Sequence, residues 1–188
     1  GLSGPVTFNI NPGTYFGQWT LGEIPTASAT NTITFDGGDT ASVKLTYETP
    51  NDSSTVLLEG SDYVTFRNIT FENTGTTTDV WCVFLRNEAN FNTFDNCLFL
   101  MPITTTNDVA GIVTSNVLSS DASNGNNANH LTITNSTFIG GERGVSLFGS
   151  SSLALRNDGH RVTNCTFLNQ DEDAIYLEYQ DSVIVSGN

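Results

Sequence analysis

Basic residues are the rarest class in this chain. Lys and Arg total 6 of 188 residues, against 20 Asp and Glu, for a net charge of −14. A surface this poor in cations has no basic face with which to neutralise phosphates, so nucleic acid is excluded as a partner. Charged residues of both signs make up only 14%. No apolar run reaches the 18 residues that a membrane-spanning helix needs. Cysteine is nearly absent: Cys82, Cys97 and Cys165 form no CxxC or His–Cys spacing, which leaves neither a zinc site nor a disulfide framework. No leader is visible, because Gly1 opens directly on strand-like sequence, as in a processed chain. The acidic balance keeps a secreted protein soluble. An extracellular place, secreted or on a cell surface, is therefore expected. The composition requires no cofactor and permits calcium, which takes carboxylate and carbonyl oxygens.

What the chain has in abundance is Thr, Ser, Asn and Gly, the residues of polar strand faces and tight turns. They carry a phrase that recurs four times: Asn68-Ile-Thr-Phe71, Asn96-Cys-Leu-Phe99, Asn135-Ser-Thr-Phe138 and Asn164-Cys-Thr-Phe167. Each follows a short β-rich run ending on Phe66, Phe94, Ile133 or Val162. A period in the twenties to thirties is the signature of a solenoid. Strands this short, with an Asn between two of them, predict an all-β right-handed parallel β-helix with three strands per coil. Side-chain alternation then predicts columns. Phe66, Phe94, Ile133 and Val162 form one; Phe71, Phe99, Phe138 and Phe167 another; Ile69, Cys97, Ser136 and Cys165 a third. Asn68, Asn96, Asn135 and Asn164 stack at the bend, where Asn tolerates a left-handed backbone and amides bond between coils. Gly187 takes that position in the next coil. Asn51, Asn68, Asn135 and Asn164 also match the glycosylation sequon, but the last three belong to the ladder.

The third strand of each coil is expected at 56–58, 82–85, 111–114, 144–148 and 174–178. Val145, Leu147, Ile175 and Leu177 face inward. Phe84, Arg86, Val113, Ser115, Ser146, Phe148, Tyr176 and Glu178 face out. Insertions at 102–108, 119–129 and 149–159 rim this face, and loops carry function more often than packed coils do. Phe84, Phe148, Tyr176 and Tyr179 are the candidate sugar-stacking strip. Trp19 and Trp81 read as packing residues, and His160 as a hydrogen-bonded structural one. Residues 1–53 lack the phrase and read as a cap with opening coils, including a turn at 12–15. Residues 54–188 are the repeated coils, which are expected to continue into a longer parent chain.

The phrase 12–15 (Pro-Gly-Thr-Tyr), the strand-turn segment 61–75 and the Asn-x-x-Phe coils together resemble the pectin-lyase-like superfamily of parallel β-helices. More closely, the opening Gly4-Pro-Val-Thr-Phe-Asn-Ile-Asn-Pro-Gly-Thr-Tyr15 and Ala29-Thr-Asn-Thr-Ile-Thr-Phe35 resemble large secreted β-helix-repeat proteins of Bacteroidetes-type bacteria. That resemblance spans nearly the whole chain. It implies the fold, and either an adhesin or surface part, or a polysaccharide lyase or hydrolase. Arg67-Asn-Ile-Thr-Phe-Glu-Asn-Thr-Gly75 is similar to a pectin methylesterase segment. The Gln-bearing strand, Tyr-Gln-Asp-Thr-Leu and Asp-Phe-Ile-Phe-Gly of those enzymes are absent here, so only coil grammar is shared.

The densest acidic cluster is Asp171-Glu172-Asp173, beside the loop-rimmed face. With Glu142 and Asp108 it offers Asp171, Asp173 and Glu142 as calcium ligands. A lyase would add a base from Arg86 or Arg143. A glycoside hydrolase would use two carboxylates among Asp173, Glu178 and Glu142. A solvated charged turn is the bland alternative. Two functions therefore stand. The first is an extracellular β-helix module of an adhesin or surface protein, structural or polysaccharide-binding. The second is a polysaccharide lyase or glycoside hydrolase acting on an acidic polysaccharide, with Asp173, Glu178 and Arg143 or Arg86 converging in a groove.

Overall fold

The structure, a computed structural model, describes residues 1–48, 52–103 and 108–188. Among the described residues, three parallel sheets wind together into a β-helix. The first has 7 strands: Val6–Asn9, Ile33–Asp36, Val64–Arg67, Thr93–Asp95, Thr132–Thr134, Arg161–Thr163 and Ile184–Ser186. The second has 6: Gly13–Phe16, Val43–Tyr47, Thr70–Asn73, Leu98–Leu100, Thr137–Ile139 and Thr166–Leu168. The third also has 6: Trp19–Gly22, Ser53–Glu59, Val80–Arg86, Val109–Thr114, Arg143–Phe148 and Asp173–Glu178. The chain visits the sheets in turn, so every circuit adds one strand to each. Pro12-Gly-Thr-Tyr15 is a correction to the sequence expectation. Gly13–Phe16 is a strand paired with Val43–Thr46, because the preceding coil bends earlier, at Ile10. Asn51 and residues 104–107 of the 102–108 insertion lie outside the described residues.

The core is built from the expected columns. Phe35, Phe66 and Phe94 stack with centroids 5.3 and 5.4 Å apart. Phe71, Phe99, Phe138 and Phe167 stack at 5.1, 4.4 and 4.9 Å. The two columns meet edge to face, as in Phe66–Phe71 at 5.6 Å, the arrangement that ring quadrupoles favour. Space for the later rings is made by glycine: a Cβ on Gly111 would lie 2.6 Å from the Phe138 ring, and one on Gly144 2.5 Å from Phe167. Ser136 stands in an otherwise apolar column because its hydroxyl is satisfied. Its Oγ donates to Thr134 O at 2.8 Å and accepts from Cys97 N at 3.1 Å. All three cysteines are free and buried.

The bend asparagines adopt φ of 58°, 51°, 52° and 54° for Asn68, Asn96, Asn135 and Asn164, and Gly187 follows at 71°. Their ladder is shorter than the sequence suggests. Asn96 Nδ2 donates to Asn68 Oδ1 at 2.7 Å and Asn68 Nδ2 to Asp36 Oδ1 at 2.8 Å. Asn135 instead donates to Asp95 Oδ1 at 2.8 Å. The Asp95 carboxylate, already beside the bend, is the stronger acceptor.

Two substitutions separate packing from hydrogen bonding. Phe99→Ala, which opens a hole between two stacked rings, is expected to cost about 3–5 kcal/mol in urea unfolding. Ser136→Ala is more apolar than the original, yet is expected to cost about 1–3 kcal/mol because Cys97 N loses its acceptor. A neutral Ser136→Ala would contradict the hydroxyl's role.

Candidate functional site

Strand register puts Leu57, Phe84, Val113, Ser146 and Tyr176 in one outward column of the third sheet. The segment 115–129 folds over the first part of that face. Trp81 Nε1 donates to Leu118 O at 3.0 Å, and Ser146 Oγ donates to Asp121 O at 3.2 Å. Beneath this segment Leu57, Trp81, Phe84, Ala110 and Val113 form a second apolar cluster packed by Leu118. Phe84 is fully buried in it and Phe148 is 7% exposed. Both were expected to stack on a sugar; neither presents a face to one, because the loop covers the sheet. Tyr176 and Tyr179 remain partly exposed. One face of Tyr176 is taken by Arg143, whose guanidinium carbon lies 4.8 Å from the ring centroid. Its hydroxyl donates to Glu178 Oε2, a bond that pushes the phenol up to about 12. Tyr179 packs edge-on against Phe148.

Arg143 is the hub of the charged residues. It meets Asp121, Glu172 at 2.8 Å, Glu142 at 3.3 Å and Asp173 at 3.5 Å. Burial opposes its charge, but Asp121, Glu142 and Glu172 hold its pKa above the ordinary value. Of the expected groove of Asp173, Glu178 and Arg143 or Arg86, the structure brings Asp173 onto Arg143 and turns Glu178 to Tyr176, and the arrangement is closed. A guanidinium clamped by four acidic side chains stays charged and cannot act as a lyase base. Arg86 is elsewhere, paired with Glu59 at 2.5 Å. As for calcium, Glu142 and Asp173 are turned onto Arg143, which supplies the positive charge there, and among the described residues no ion pair draws in Asp171. Among the described residues no three His, Cys, Asp or Glu side chains are placed to share a metal ion. His160 is fully buried, accepts from Leu131 N through Nδ1 at 3.1 Å, and is drawn down to about 4 by that burial.

Acidic residues also crowd where the third-sheet strands begin. Burial, with Asp108 and Asp52 alongside, pushes Asp79 up to about 6. Burial pushes Glu142 up to about 8; Arg143 opposes this while Asp108 and Glu172 reinforce it.

Sequence reasoning missed another corner, at the turn from the third sheet to the first. The rings of Tyr63, Phe91 and His130 stack at 4.7 and 4.6 Å with planes within 15°. All three have left-handed backbones, φ 57°, 57° and 54°. Gly159 follows at φ 69°, its backbone laid on the imidazole so that a Cβ would sit 2.1 Å from His130 Nδ1. Bulky residues in this conformation carry about 1–3 kcal/mol of strain each unless the surroundings hold them. An adjacent ladder does so: Asp62 Oδ1 accepts from Asn90 N at 2.7 Å, Asn90 Oδ1 from Asn129 N at 2.8 Å, and Asn129 Oδ1 from Asp158 N at 3.0 Å. These residues stand five and six places before each bend Asn, a fixed offset that aligning the coils would have exposed.

Two open clefts flank the ring ladder and share Phe91 and His130. One, of about 350 Å³, adds Asn90, Asn129, Arg156 and Asp158. The other, of about 370 Å³, adds Tyr63, Thr93, Thr132 and Arg161.

No family model matches the chain, and no curated protein matches its sequence. Among solved structures, it is similar to a pectin methylesterase point mutant in complex with a hexasaccharide. That likeness has 11% identity and a TM-score of 0.38, over 98% of this chain and 81% of that one. At that level it carries nothing about activity.

Asp79 and Glu142 both bind a proton more tightly folded than unfolded. They therefore add stability below about pH 4 and withdraw it as pH rises through about 6 and then about 8. Asp36 acts the other way, drawn down to about 2 chiefly by its Arg67 hydrogen bond, but only at lower pH. The melting temperature is expected to be higher near pH 5 than near about pH 8.5, and the gap to shrink in Asp79→Asn/Glu142→Gln. A melting temperature that climbs across that range would contradict the assignment.

Proposed function

We propose that the chain is a non-catalytic, glycan-binding β-helix module of an extracellular protein. The observation that carries this is the corner of stacked rings. A rigid, exposed ladder is flanked by two clefts lined with amides, hydroxyls and cations, the groups that meet a polyhydroxylated chain. Its ring faces are already paired with one another, so a saccharide would lie along the ring edges in the clefts. The outer face of the third sheet offers less: Phe84 and Phe148 are covered, one face of Tyr176 is taken, and Arg143 is engaged by acidic side chains. The low content of basic residues supports the extracellular setting, and the stacked coils suit a stalk or adhesin.

One observation favours a second function. A carboxyl held above the ordinary range is what a glycosidase acid requires, and burial shifts Glu142 in that direction. A hydrolase would use Glu142 as acid and Asp173 as its partner.

Incubation with acidic and neutral polysaccharides, with and without calcium, followed by mass spectrometry of products, separates the two. Retention on a glycan without shortened chains is expected. Shortened chains that vanish in Glu142→Gln or Asp173→Asn would overturn the binding-module proposal, and unsaturated or reducing ends would tell lyase from hydrolase.

A further inference from the structure

We infer that the two clefts beside the Tyr63–Phe91–His130 ladder take an anionic saccharide, whose carboxylate or sulfate groups are met by Arg156 and Arg161. This rests on the glycan-binding proposal and adds the charge of the ligand and the residues that select it.

The chain has six Lys and Arg residues, and four of them are paired. Lys44 pairs with Glu72 at 3.1 Å, Arg67 with Asp36 at 2.5 Å, Arg86 with Glu59 at 2.5 Å, and Arg143 with four carboxylates. Among the described residues no ion pair or side-chain hydrogen bond engages Arg156 or Arg161, and both are exposed. In a chain of net charge −14, carboxylates are available nearly everywhere, yet these two cations stand free. They also stand together. Arg156 lines one cleft and Arg161 the other, and the clefts share the Phe91 and His130 rings.

The rings favour the same kind of ligand. Stacked face to face, they turn their edges to the clefts, and the edge is the positive part of an aromatic quadrupole. Oxygen lone pairs and anions are drawn to it; an apolar or cationic ligand is not. Neutral donors complete each site: the Thr93 and Thr132 hydroxyls beside Arg161, and the Asn90 and Asn129 amides beside Arg156. Asp158 is the opposing charge, 3.4 Å from His130 Nε2. It weakens the pull on an anion in the first cleft.

The test is affinity electrophoresis of the whole chain in gels containing polygalacturonate, dextran sulfate or uncharged dextran, at low and high salt. Binding to a charged polymer, weakened by salt, is expected. Arg156→Gln/Arg161→Gln is expected to lose about tenfold or more, the scale of lost charged hydrogen bonds. Asp158→Asn is expected to bind more tightly, and Lys44→Gln, which removes one positive charge elsewhere, to bind as the parent does. The polymer preferred tells carboxylate from sulfate. Binding unchanged in the double variant, or equally weakened by Lys44→Gln, would overturn the inference. Equal binding to uncharged dextran would overturn it while leaving the glycan-binding proposal intact. A parent chain that binds none of the three would sink both.

Discussion

The structure depends on one constraint, the fixed parallel register in which each coil hydrogen-bonds to the next. Phe66 pairs with Phe35 on one side and with Phe94 on the other. A residue in one coil therefore lies against its equivalents, about 4.8 Å away, and like stacks on like. For aromatic rings this is favourable twice over, since burial and ring stacking act together. For a backbone bend it is favourable too, because the same left-handed asparagine can serve every coil.

For carboxylates the same register is a liability. Asp52, Asp79, Asp108, Glu142 and Glu172 crowd where the third-sheet strands begin, and each raises the free energy of ionising its neighbour. The molecule answers in two ways. Arg143 gathers the last members of the row together with Asp121 and Asp173. Earlier in the row, Asp79 holds its proton more tightly than an ordinary carboxyl does. Charge compensation thus occupies the face that the loops surround, while the segment 115–129 closes the rest of it. The corner of rings is left as the open, rigid surface, and it is there that the two unpaired arginines stand.

How much of this was legible follows from how each feature is written in the chain. The Asn-x-x-Phe columns could be read because four contiguous residues repeat with their identities nearly intact. The convergence of Arg143 and Asp173 was legible too, since register alone sets them opposite each other. The same register sets Arg86 opposite Glu59, which would have removed it from the site. Phe84 and Phe148 were misplaced because alternation tells which side of a sheet a residue faces and nothing about what lies over that side. The ring ladder escaped notice because its members change from Tyr to Phe to His to Gly. What they share is a backbone conformation and an offset of five from the bend, neither of which appears as a repeated word.

The most direct measurement of the central claim, that the corner and not the third-sheet face receives the glycan, is hydrogen–deuterium exchange with and without bound polysaccharide. Protection is expected in peptides spanning residues 88–93, 126–132 and 154–161, with 143–148 and 173–178 unchanged. Protection confined to 143–148 and 173–178 would contradict the account and return the site to the Arg143 cluster.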